Sequence, residues 1–390
     1  MQKFDFLLKT ELFFGENRVD EIGDIINKYS FKKICVLIGM SSVKRSGLLD
    51  KVLGILNQHN FEYIVLEGIR PNPDISFVYD NLGKIQSFEP DLLLAIGGGS
   101  VIDTAKLISH AYYYDGDAFD FNLHKVTPTK VLPLGVILTI SAAGSEMSTS
   151  CVIQDDKTKT KAGFNSELNR PLFAICDPLL TTSVSKVQTA YGINDILMHT
   201  LERYFNPSDK FDLSDGFSEG LIRTVLNAGL VAYNNPNDIS SRKALMLASS
   251  FSHNGVTSIG KSYTMYVHQL EHVLSGVYKD VAHAAGLAVL WPKWARFYLE
   301  YDVDKFDLLA KNVFHSFKDD KLQNGLYAIE CLENYFKQLN MPKTYKDLGI
   351  NDVDINYLAD KFSNNGTRVV AHNKKPLDRN VAYEIFKACI

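Results

Sequence analysis

The segment Leu92-Leu-Leu-Ala-Ile-Gly-Gly-Gly-Ser-Val-Ile-Asp-Thr-Ala-Lys106 joins an apolar run to three glycines and then to an amphipathic stretch. The apolar run is typical of a buried strand in a parallel sheet, and the amphipathic stretch is typical of a helix. Glycines lack the Cβ atoms that would keep a phosphate away from the backbone, and a helix N-terminus offers free N–H groups. We therefore predict a strand, a phosphate-binding loop and a helix, with the loop formed by Gly97, Gly98, Gly99 and Ser100.

A tight turn with a positive φ is the alternative explanation of the glycines, although such a turn would use one or two of them. The segment matches neither the six-residue Rossmann fingerprint nor a Walker loop, because no Gly-Lys-Ser/Thr follows. The loop therefore indicates a nucleotide phosphate without indicating which nucleotide.

Other apolar runs repeat this arrangement through the first half of the chain. Residues 34–38, 63–66, 134–138 and 173–176 each end close to a glycine, a threonine or an aspartate. Amphipathic stretches at 48–59 and 75–88 lie between them, so strand and helix alternate at the spacing of crossover units. We expect an α/β domain with a parallel sheet, in which ligands bind beyond the carboxyl ends of the strands.

Beyond about residue 180 the strand signals fade and helical periodicity dominates. Helices are predicted at residues 185–204, 218–233, 242–254, 281–298, 322–339 and 355–362. The chain has 390 residues, which is more than one hydrophobic core usually supports. We therefore predict a dinucleotide-binding α/β domain over residues 1–182 and an all-α domain over residues 183–390.

The predicted all-α domain also contains one aspartate and four histidines at spacings that bring side chains to one face of a helix. Asp195 and His199 stand four residues apart in a helical stretch, so both side chains leave one face. His268 and His272 repeat that spacing, and His283 follows eleven residues later, where a new helix is predicted. A single histidine on a half-apolar helix is usually packed or solvated. Five such groups in one region favour a divalent metal, for which four of them suffice.

Charge and cysteine usage exclude several classes of protein. The formal net charge is −4 and the basic residues are scattered, so small molecules are expected partners rather than nucleic acid or an anionic membrane. The five cysteines are odd in number and show no paired spacing, which argues against disulfides and a thiolate zinc site. Since we find no signal peptide and no apolar run of transmembrane length, we expect a cytoplasmic protein.

Two further loops follow predicted strands. Residues 139–148 are mostly small and polar, which is a weak signal for contact with the ribose or nicotinamide of a nucleotide. After the first strand of the alternation, Gly39 stands where an acidic residue would bind a ribose 2′-hydroxyl. The groups that could meet a 2′-phosphate there are the hydroxyls of Ser41 and Ser42 and the charges of Lys44 and Arg45. This pattern favours NADP(H) over NAD(H).

With these motifs in this order, the chain resembles the iron-containing (group III) alcohol dehydrogenases, and within them the butanol dehydrogenase-like branch. The similarity runs over nearly the whole length. Its specific motifs are the glycine segment 97–106 and the sequences Ala143-Gly-Ser-Glu-Met147, Asp177-Pro178, Gly192-Ile-Asn-Asp-Ile-Leu-Met-His-Thr-Leu-Glu-Arg-Tyr204, Asn254-Gly255, His268-Gln-Leu-Glu-His-Val-Leu-Ser275 and His283-Ala-Ala-Gly-Leu-Ala288.

The resemblance implies a dehydroquinate synthase-like fold, in which hydride passes between a nicotinamide and an alcohol or aldehyde in a cleft between the two domains. It assigns the metal, Fe(II) with Zn(II) as a substitute, to Asp195, His199, His268 and His283. It places the pyrophosphate at Gly98, Gly99 and Ser100, and puts Asp103 near the nicotinamide, where Asp103 is a candidate catalytic residue together with His272. The positions that line the cofactor in the family are Thr139, Ser145 and Lys161. His272 corresponds to a histidine beside the metal, which is either a proton relay or a group that orients a ligand.

Two departures from the family pattern limit what carries over. The loop Ser141-Ala-Ala-Gly-Ser-Glu146 lacks a Thr that relatives commonly have, which removes one hydroxyl contact to the cofactor. Residues 260–268 lack a Trp that is frequent ahead of the first late histidine, which bears on substrate preference rather than on the chemistry.

We therefore expect a metal-dependent, NAD(P)H-linked alcohol dehydrogenase or aldehyde reductase that acts on small primary alcohols and aldehydes such as butanol and butanal. A polyol dehydrogenase of the glycerol type or a lyase of the same fold is an alternative, and a non-catalytic nucleotide-binding protein is another. Residues 4–14 alternate weakly and suggest an edge strand. In relatives such a strand pairs across a dimer, so a homodimer is expected.

Overall fold

The computed structural model describes residues 3–207 and 212–390. By their contacts these residues form two compact units. The α/β unit comprises Leu7–Ser185 and Asn235–Asn254. The helical unit comprises the described residues of Met1–Phe6, Lys186–Asn234 and Gly255–Ile390.

Six strands of the α/β unit form one parallel sheet. They are β1 (Glu11–Phe14), β2 (Lys33–Gly39), β3 (Glu62–Ile69), β4 (Leu92–Gly97), β5 (Leu134–Leu138) and β8 (Phe173–Cys176). Their order across the sheet is β1-β8-β5-β4-β2-β3. Two further strands, β6 (Ser150–Asp155) and β7 (Thr160–Asn165), form a separate antiparallel hairpin. The predicted parallel α/β architecture is confirmed, whereas the hairpin was not anticipated.

Helices cover both faces of this sheet. They are α1 (Ile22–Lys28), α2 (Ser42–Arg45), α3 (Leu48–Gln58), α4 (Ser76–Phe88) and α5 (Gly99–Ala111). Successive residues of β2 alternate between two cores: Ile34 and Val36 pack with α1 and α3, whereas Cys35 and Leu37 pack with α4 and α5. Because both faces are buried, each central strand is a continuous apolar run.

The helical unit is built from pairs of packed helices. They are α6 (Lys186–Tyr204), α7 (Leu213–Asn234), α9 (Tyr266–Val277), α10 (His283–Leu299), α11 (Val303–Phe314), α12 (Lys321–Gln338), α13 (Ile355–Ser363) and α14 (Arg379–Lys387). Helix α6 packs with α7 and α10, α9 with α10, α11 with α12, and α13 with α14. Among the described residues, no helix is both long enough and apolar enough to cross a membrane.

The remaining helix, α8 (Ile239–His253), packs with the α/β unit, although the predicted boundary at residue 182 places it among the later helices. Met246 joins the core on one face of the sheet, and Ser250 Oγ donates to the Glu146 carboxylate at 2.6 Å. Burial raises the pKa of Glu146 above its usual value. The periodicity of a helix does not reveal which unit it packs against, so the place of α8 in the α/β unit could be found only from its tertiary contacts.

Candidate active site

The four predicted metal ligands converge on one point of the helical unit. Asp195 and His199 lie one turn apart on α6, His268 lies on α9, and His283 is the first residue of α10. Asp195 Oδ1 lies 3.5 Å from His199 Nδ1 and 4.0 Å from His268 Nε2. The same oxygen lies 3.9 Å from His283 Nε2. Two segments that are distant in the sequence thus supply one cluster.

These separations fit a shared divalent ion better than direct hydrogen bonds. They exceed the usual N–H···O distance of about 2.7–3.2 Å, whereas ligand atoms about 2.1 Å from one ion lie about 3–4 Å apart. Asp195, His199 and His268 are all buried. His268 Nε2 has no hydrogen-bond partner among the described residues, as a lone pair directed at an ion would require. The donor set, one carboxylate and three imidazoles, fits a divalent ion.

His272 lies beside this cluster. Its ring centroid is 6.4 Å from that of His268 and 5.7 Å from that of His283, and its side chain is half-buried. Its ligand atom lies within 4.8 Å of those of Glu271 and His283. His272 therefore lies next to the cluster, close to His268 and His283.

Two buried glutamates that the sequence analysis missed contact the imidazoles from the side away from Asp195. Glu202 of α6 hydrogen bonds to Nδ1 of His268, and Glu271 of α9 hydrogen bonds to Nδ1 of His283. Both carboxylates have no solvent exposure. Glu202 stands three residues after His199 and Glu271 three after His268, so helical spacing places each glutamate on the same side of its helix as a predicted ligand, but it does not predict the contact with an imidazole of another helix.

Asn194 is a third residue that the sequence analysis missed. Its side-chain Nδ2 donates to the carbonyl of Ala284 at 2.8 Å, in the first turn of α10. Because Asn194 precedes Asp195 on α6, this bond fixes the start of α10, and with it His283, against the helix that carries the carboxylate.

The glycine loop lies in the α/β unit, between the end of β4 and the start of α5. None of Gly97, Gly98 and Gly99 has a positive φ, so a left-handed turn does not explain them. A Cβ on Gly97 would lie 2.5 Å from Val101 Cγ2, and one on Gly98 would lie 2.5 Å from Ile140 Cγ2. The absence of a Cβ at Gly97 and Gly98 therefore already serves packing within the protein, because the side chains of Val101 and Ile140 occupy that space. The N–H groups of Val101 and Ile102 donate to the Gly98 carbonyl, so those of Gly99 and Ser100 are the ones that a helix N-terminus usually offers to a phosphate.

Of the other predicted cofactor residues, Gly39 and Thr139 lie at the carboxyl ends of strands next to β4, whereas Lys161 lies on the separate hairpin. Gly39 ends β2 and Thr139 follows β5, and the Thr139 N–H donates to the Gly97 carbonyl at 3.1 Å. Ser41 and Ser42 begin α2 directly after Gly39. Lys161 lies on β7, where its Nζ donates to Asn72 Oδ1 at 3.3 Å. The carboxyl ends of β2, β4 and β5 therefore form one continuous edge, as expected for a nucleotide site.

A buried polar network connects α5 with the loop after β5 and with the hairpin. Asp103 Oδ1 accepts from Ser145 Oγ at 2.5 Å, and its Oδ2 accepts from the Val152 N–H at 2.9 Å. Lys106, which the sequence analysis did not single out, is fully buried and donates to Ser145 Oγ at 2.8 Å and to the Ser150 carbonyl at 2.6 Å. Burial lowers the pKa of Lys106, and the nearby Asp103 carboxylate opposes that effect.

Two family models together match almost the whole chain. The model described as iron-containing alcohol dehydrogenase matches residues 9–178. The model described as the C-terminal part of the Fe-containing alcohol dehydrogenase family matches residues 189–390. The boundary between the two models lies close to the start of α6.

Individual relatives align over their full length. The NADH-dependent butanol dehydrogenase A of Clostridium acetobutylicum is 36% identical over 389 residues, which cover 99% of each chain. The NADPH-dependent aldehyde reductase YqhD of Escherichia coli is 28% identical over the whole of both chains. The crystal structure of NADH-dependent butanol dehydrogenase A from Thermotoga maritima is similar with a TM-score of 0.95 at 32% identity, covering 100% of this chain and 99% of that one.

Proposed function

Since the chain belongs to the iron-containing alcohol dehydrogenase family, we propose that it interconverts small aliphatic aldehydes and primary alcohols, with butanal and butanol as representative substrates. It is a metal-dependent, NAD(P)H-linked alcohol dehydrogenase or aldehyde reductase. The observation that carries the proposal is the convergence of three imidazole nitrogens within 4.0 Å of Asp195 Oδ1.

We assign the metal to Asp195, His199, His268 and His283. Three neutral imidazoles and one carboxylate leave a net charge of +1 on a divalent ion. A nitrogen and oxygen set without thiolate suits Fe(II), Zn(II), Mn(II) or Co(II), and we favour Fe(II), the family's metal, with Zn(II) as a functional substitute. When bound, the ion supplies Lewis-acid polarisation of the substrate oxygen, and the nicotinamide supplies or accepts the hydride.

We assign the cofactor to the carboxyl edge of the sheet. Gly97, Gly98, Gly99 and Ser100 would contact the pyrophosphate at the start of α5. Both carboxylate oxygens of Asp103 accept hydrogen bonds, so beside the nicotinamide we expect Asp103 to orient Ser145 rather than to transfer a proton. The other residues that we expect along the cofactor are Gly39, Ser41, Ser42, Thr139, Ser145 and Lys161.

The experiment that tests this function is anaerobic oxidation of NADPH and, separately, NADH with butanal, before and after chelation and addition of Fe(II) or Zn(II). Metal-dependent loss of the reduced-cofactor absorbance is expected. Full activity in an aerobic, iron-free zinc preparation would contradict the preference for Fe(II). Lack of turnover with either cofactor at full metal loading would favour a polyol dehydrogenase or a lyase of the same fold.

The preference for NADP(H) rests on Gly39 and the residues after it. Gly39 presents no carboxylate to a ribose, and Arg45 and the hydroxyls of Ser41 and Ser42 follow it on α2. Lys44 forms an ion pair with Glu67, so we expect Arg45 to supply the charge that meets a 2′-phosphate. Relatives carry both NADH-dependent and NADPH-dependent names, so this preference needs its own test.

Gly39→Asp is expected to lower kcat/KM for NADPH at least about tenfold and to leave that for NADH unchanged or higher. A carboxylate there repels a 2′-phosphate but accepts a hydrogen bond from a 2′-hydroxyl. The added Cβ would lie 3.3 Å from the Ile69 carbonyl oxygen, so Gly39→Ala is the matched control for steric effects. Steady-state kinetics with both cofactors decide the question, and an equal loss for both would contradict the proposed preference.

His272→Ala is expected to lower kcat about tenfold to hundredfold without loss of bound metal. A positioned histidine that moves a proton contributes a factor of about 10²–10⁴, part of which water can replace. The measurements are kcat, metal per chain, and kcat with added imidazole. Recovery of kcat with imidazole supports the proton relay, whereas a fall in metal content would assign His272 to orienting a ligand.

We also propose a homodimer that covers the N-terminal stretch. Strand β1 is at one edge of the sheet and pairs with β8 alone among the described strands. Ahead of it, Phe4, Phe6, Leu7 and Leu8 are 47%, 43%, 48% and 40% exposed, and a run of exposed apolar side chains, unlike a single one, indicates an interaction surface. We propose a cytoplasmic location as well, which the five free cysteines support because thiols stay reduced in that compartment.

A further inference from the structure

Carboxylates that none of the ligand assignments uses lie behind two imidazoles of the proposed metal centre. We propose that Glu271 is a positioning residue for the metal: it fixes the tautomer and orientation of His283 so that Nε2 faces the ion, as Glu202 does for His268. This inference rests on the proposed function, because it needs a metal at the cluster.

The two nitrogens of the His283 imidazole have different neighbours. Glu271 Oε2 bonds to Nδ1 of His283, while Nε2 of the same ring is the nitrogen that lies 3.9 Å from Asp195 Oδ1. A carboxylate only accepts hydrogen bonds, so the ring proton resides on Nδ1 and the lone pair on Nε2 is left for an ion. A carboxylate partner also makes the imidazole a stronger donor to a metal.

His283 has more need of this support than the other ligands. Its side chain is 25% exposed, whereas those of Asp195 and His268 are 7% exposed. It is also the first residue of α10, where Ala282 provides no side-chain cap. The bond from Glu271 therefore restrains a ligand that otherwise stands at a helix end close to solvent.

The chain leaves space for this carboxylate. Gly286 lies one turn after His283, and a Cβ added there would lie 3.0 Å from Glu271 Cγ and 3.2 Å from its Oε1. A larger residue at 286 would push the Glu271 side chain away from His283. The absence of a side chain at Gly286 therefore allows Glu271 to reach His283.

Glu202 is less suitable for a test, because it has a second task. It also accepts from the backbone N–H groups of Val267 at 2.7 Å and His268 at 3.2 Å, in the first turn of α9. Its removal would disturb both the imidazole and the helix end. A substitution at Glu271 changes the support of the imidazole without removing hydrogen bonds to the N–H groups at the start of α9.

A buried carboxylate beside a cation has a distinctive consequence for stability. Without the ion, a fully buried carboxylate is costly, and its removal leaves Nδ1 of His283, whose side chain is 25% exposed, able to bond to water instead. With the ion, its loss weakens the metal site. Glu271→Leu should therefore reduce metal affinity without reducing the stability of the metal-free protein.

The experiment measures the Zn(II) dissociation constant of the full-length, metal-free protein by competition with a colorimetric chelator. Zn(II) affinity is expected to fall about 10- to 100-fold in Glu271→Leu. A smaller loss is expected in Glu271→Gln, whose amide oxygen still accepts from Nδ1. Glu146→Gln, at an equally buried carboxyl of the α/β unit, is the matched control and should leave Zn(II) affinity unchanged. Urea denaturation of each metal-free variant supplies the second readout.

Two outcomes would overturn the inference alone: Zn(II) binding in Glu271→Leu as tight as in the wild type, or a loss of affinity that merely follows lower stability of the metal-free variant. Failure of the wild type to bind a stoichiometric divalent ion would instead remove the proposed metal centre, and this inference with it.

Discussion

Replacing Asp195 with asparagine is expected to remove the metal and to lower kcat/KM for aldehyde reduction by about 10³-fold. Asp195 supplies the one carboxylate oxygen on which three imidazoles converge. A neutral amide of the same shape cannot offset the charge of a divalent ion. Loss of Lewis-acid stabilisation worth several kcal/mol, here taken as about 4, corresponds to about a thousandfold in rate.

Asp307→Asn is the matched control for this change. Asp307 is also in the helical unit, and its side chain is 4% exposed, against 7% for Asp195. Its oxygens accept from Asn324 at 2.7 Å and Lys311 at 2.6 Å, outside the metal cluster. The measurements are metal per chain and NADPH oxidation with butanal. Full metal content in the Asp195 variant, or an equal loss in the Asp307 variant, would show that the centre is assigned to the wrong residues.

The bounds of β2, β4, β5 and β8 could be predicted to within about one residue, whereas β1 and β3 were located less exactly and the hairpin was not predicted. β5 and β8 are continuous apolar runs because both of their faces are buried, and each is followed directly by a polar residue. β6 and β7 contain Ser150, Asp155 and Thr160 among few apolar residues. Their placement depends on tertiary contacts such as the bond from the Val152 N–H to Asp103, which the local sequence does not reveal.

In the site, the spacing of residues along the sequence predicted the metal ligands but not the buried residues that contact them. Asp195 and His199 share a helix face because four residues make about one turn, and that needs no tertiary information. Glutamate and lysine side chains are usually exposed to solvent, so the sequence alone predicts a surface position for Glu271 and Lys106. Only their complete burial and their partners in other segments reveal that each acts within a network.

The loop of residues 139–148 shows how one pattern can have a second cause beside the expected one. Its small residues suggested contact with a nucleotide, yet they pack against α8. The Ala142 N–H donates to Ser249 Oγ at 3.0 Å, and His253 Nδ1 hydrogen bonds to the Ala143 carbonyl at 2.8 Å. Close approach of a helix also demands small residues, so composition alone could not separate the two explanations.

Gly144→Ala is therefore expected to lower the free energy of unfolding by about 3 kcal/mol and to raise the KM for NADPH at least about tenfold. Gly144 has a φ of +64°, and an added Cβ would lie 2.4 Å from the Ser249 carbonyl oxygen and 2.9 Å from His253 Cβ. The left-handed conformation costs an alanine about 1–2 kcal/mol, and overpacking adds about 1–3 kcal/mol. Since backbone must move, Ser145 moves with the loop.

Gly47→Ala separates the two contributions. Gly47 has a φ of +73°, and among the described residues no heavy atom lies within 4 Å of an added Cβ. Its variant should lose only the conformational cost of about 1–2 kcal/mol in urea denaturation and keep its KM for NADPH. The difference between the two variants measures the contact of the loop with α8. Equal losses would mean that the loop does not pack on α8 in solution, whereas a larger loss at Gly144 with unchanged KM would separate that packing from cofactor binding.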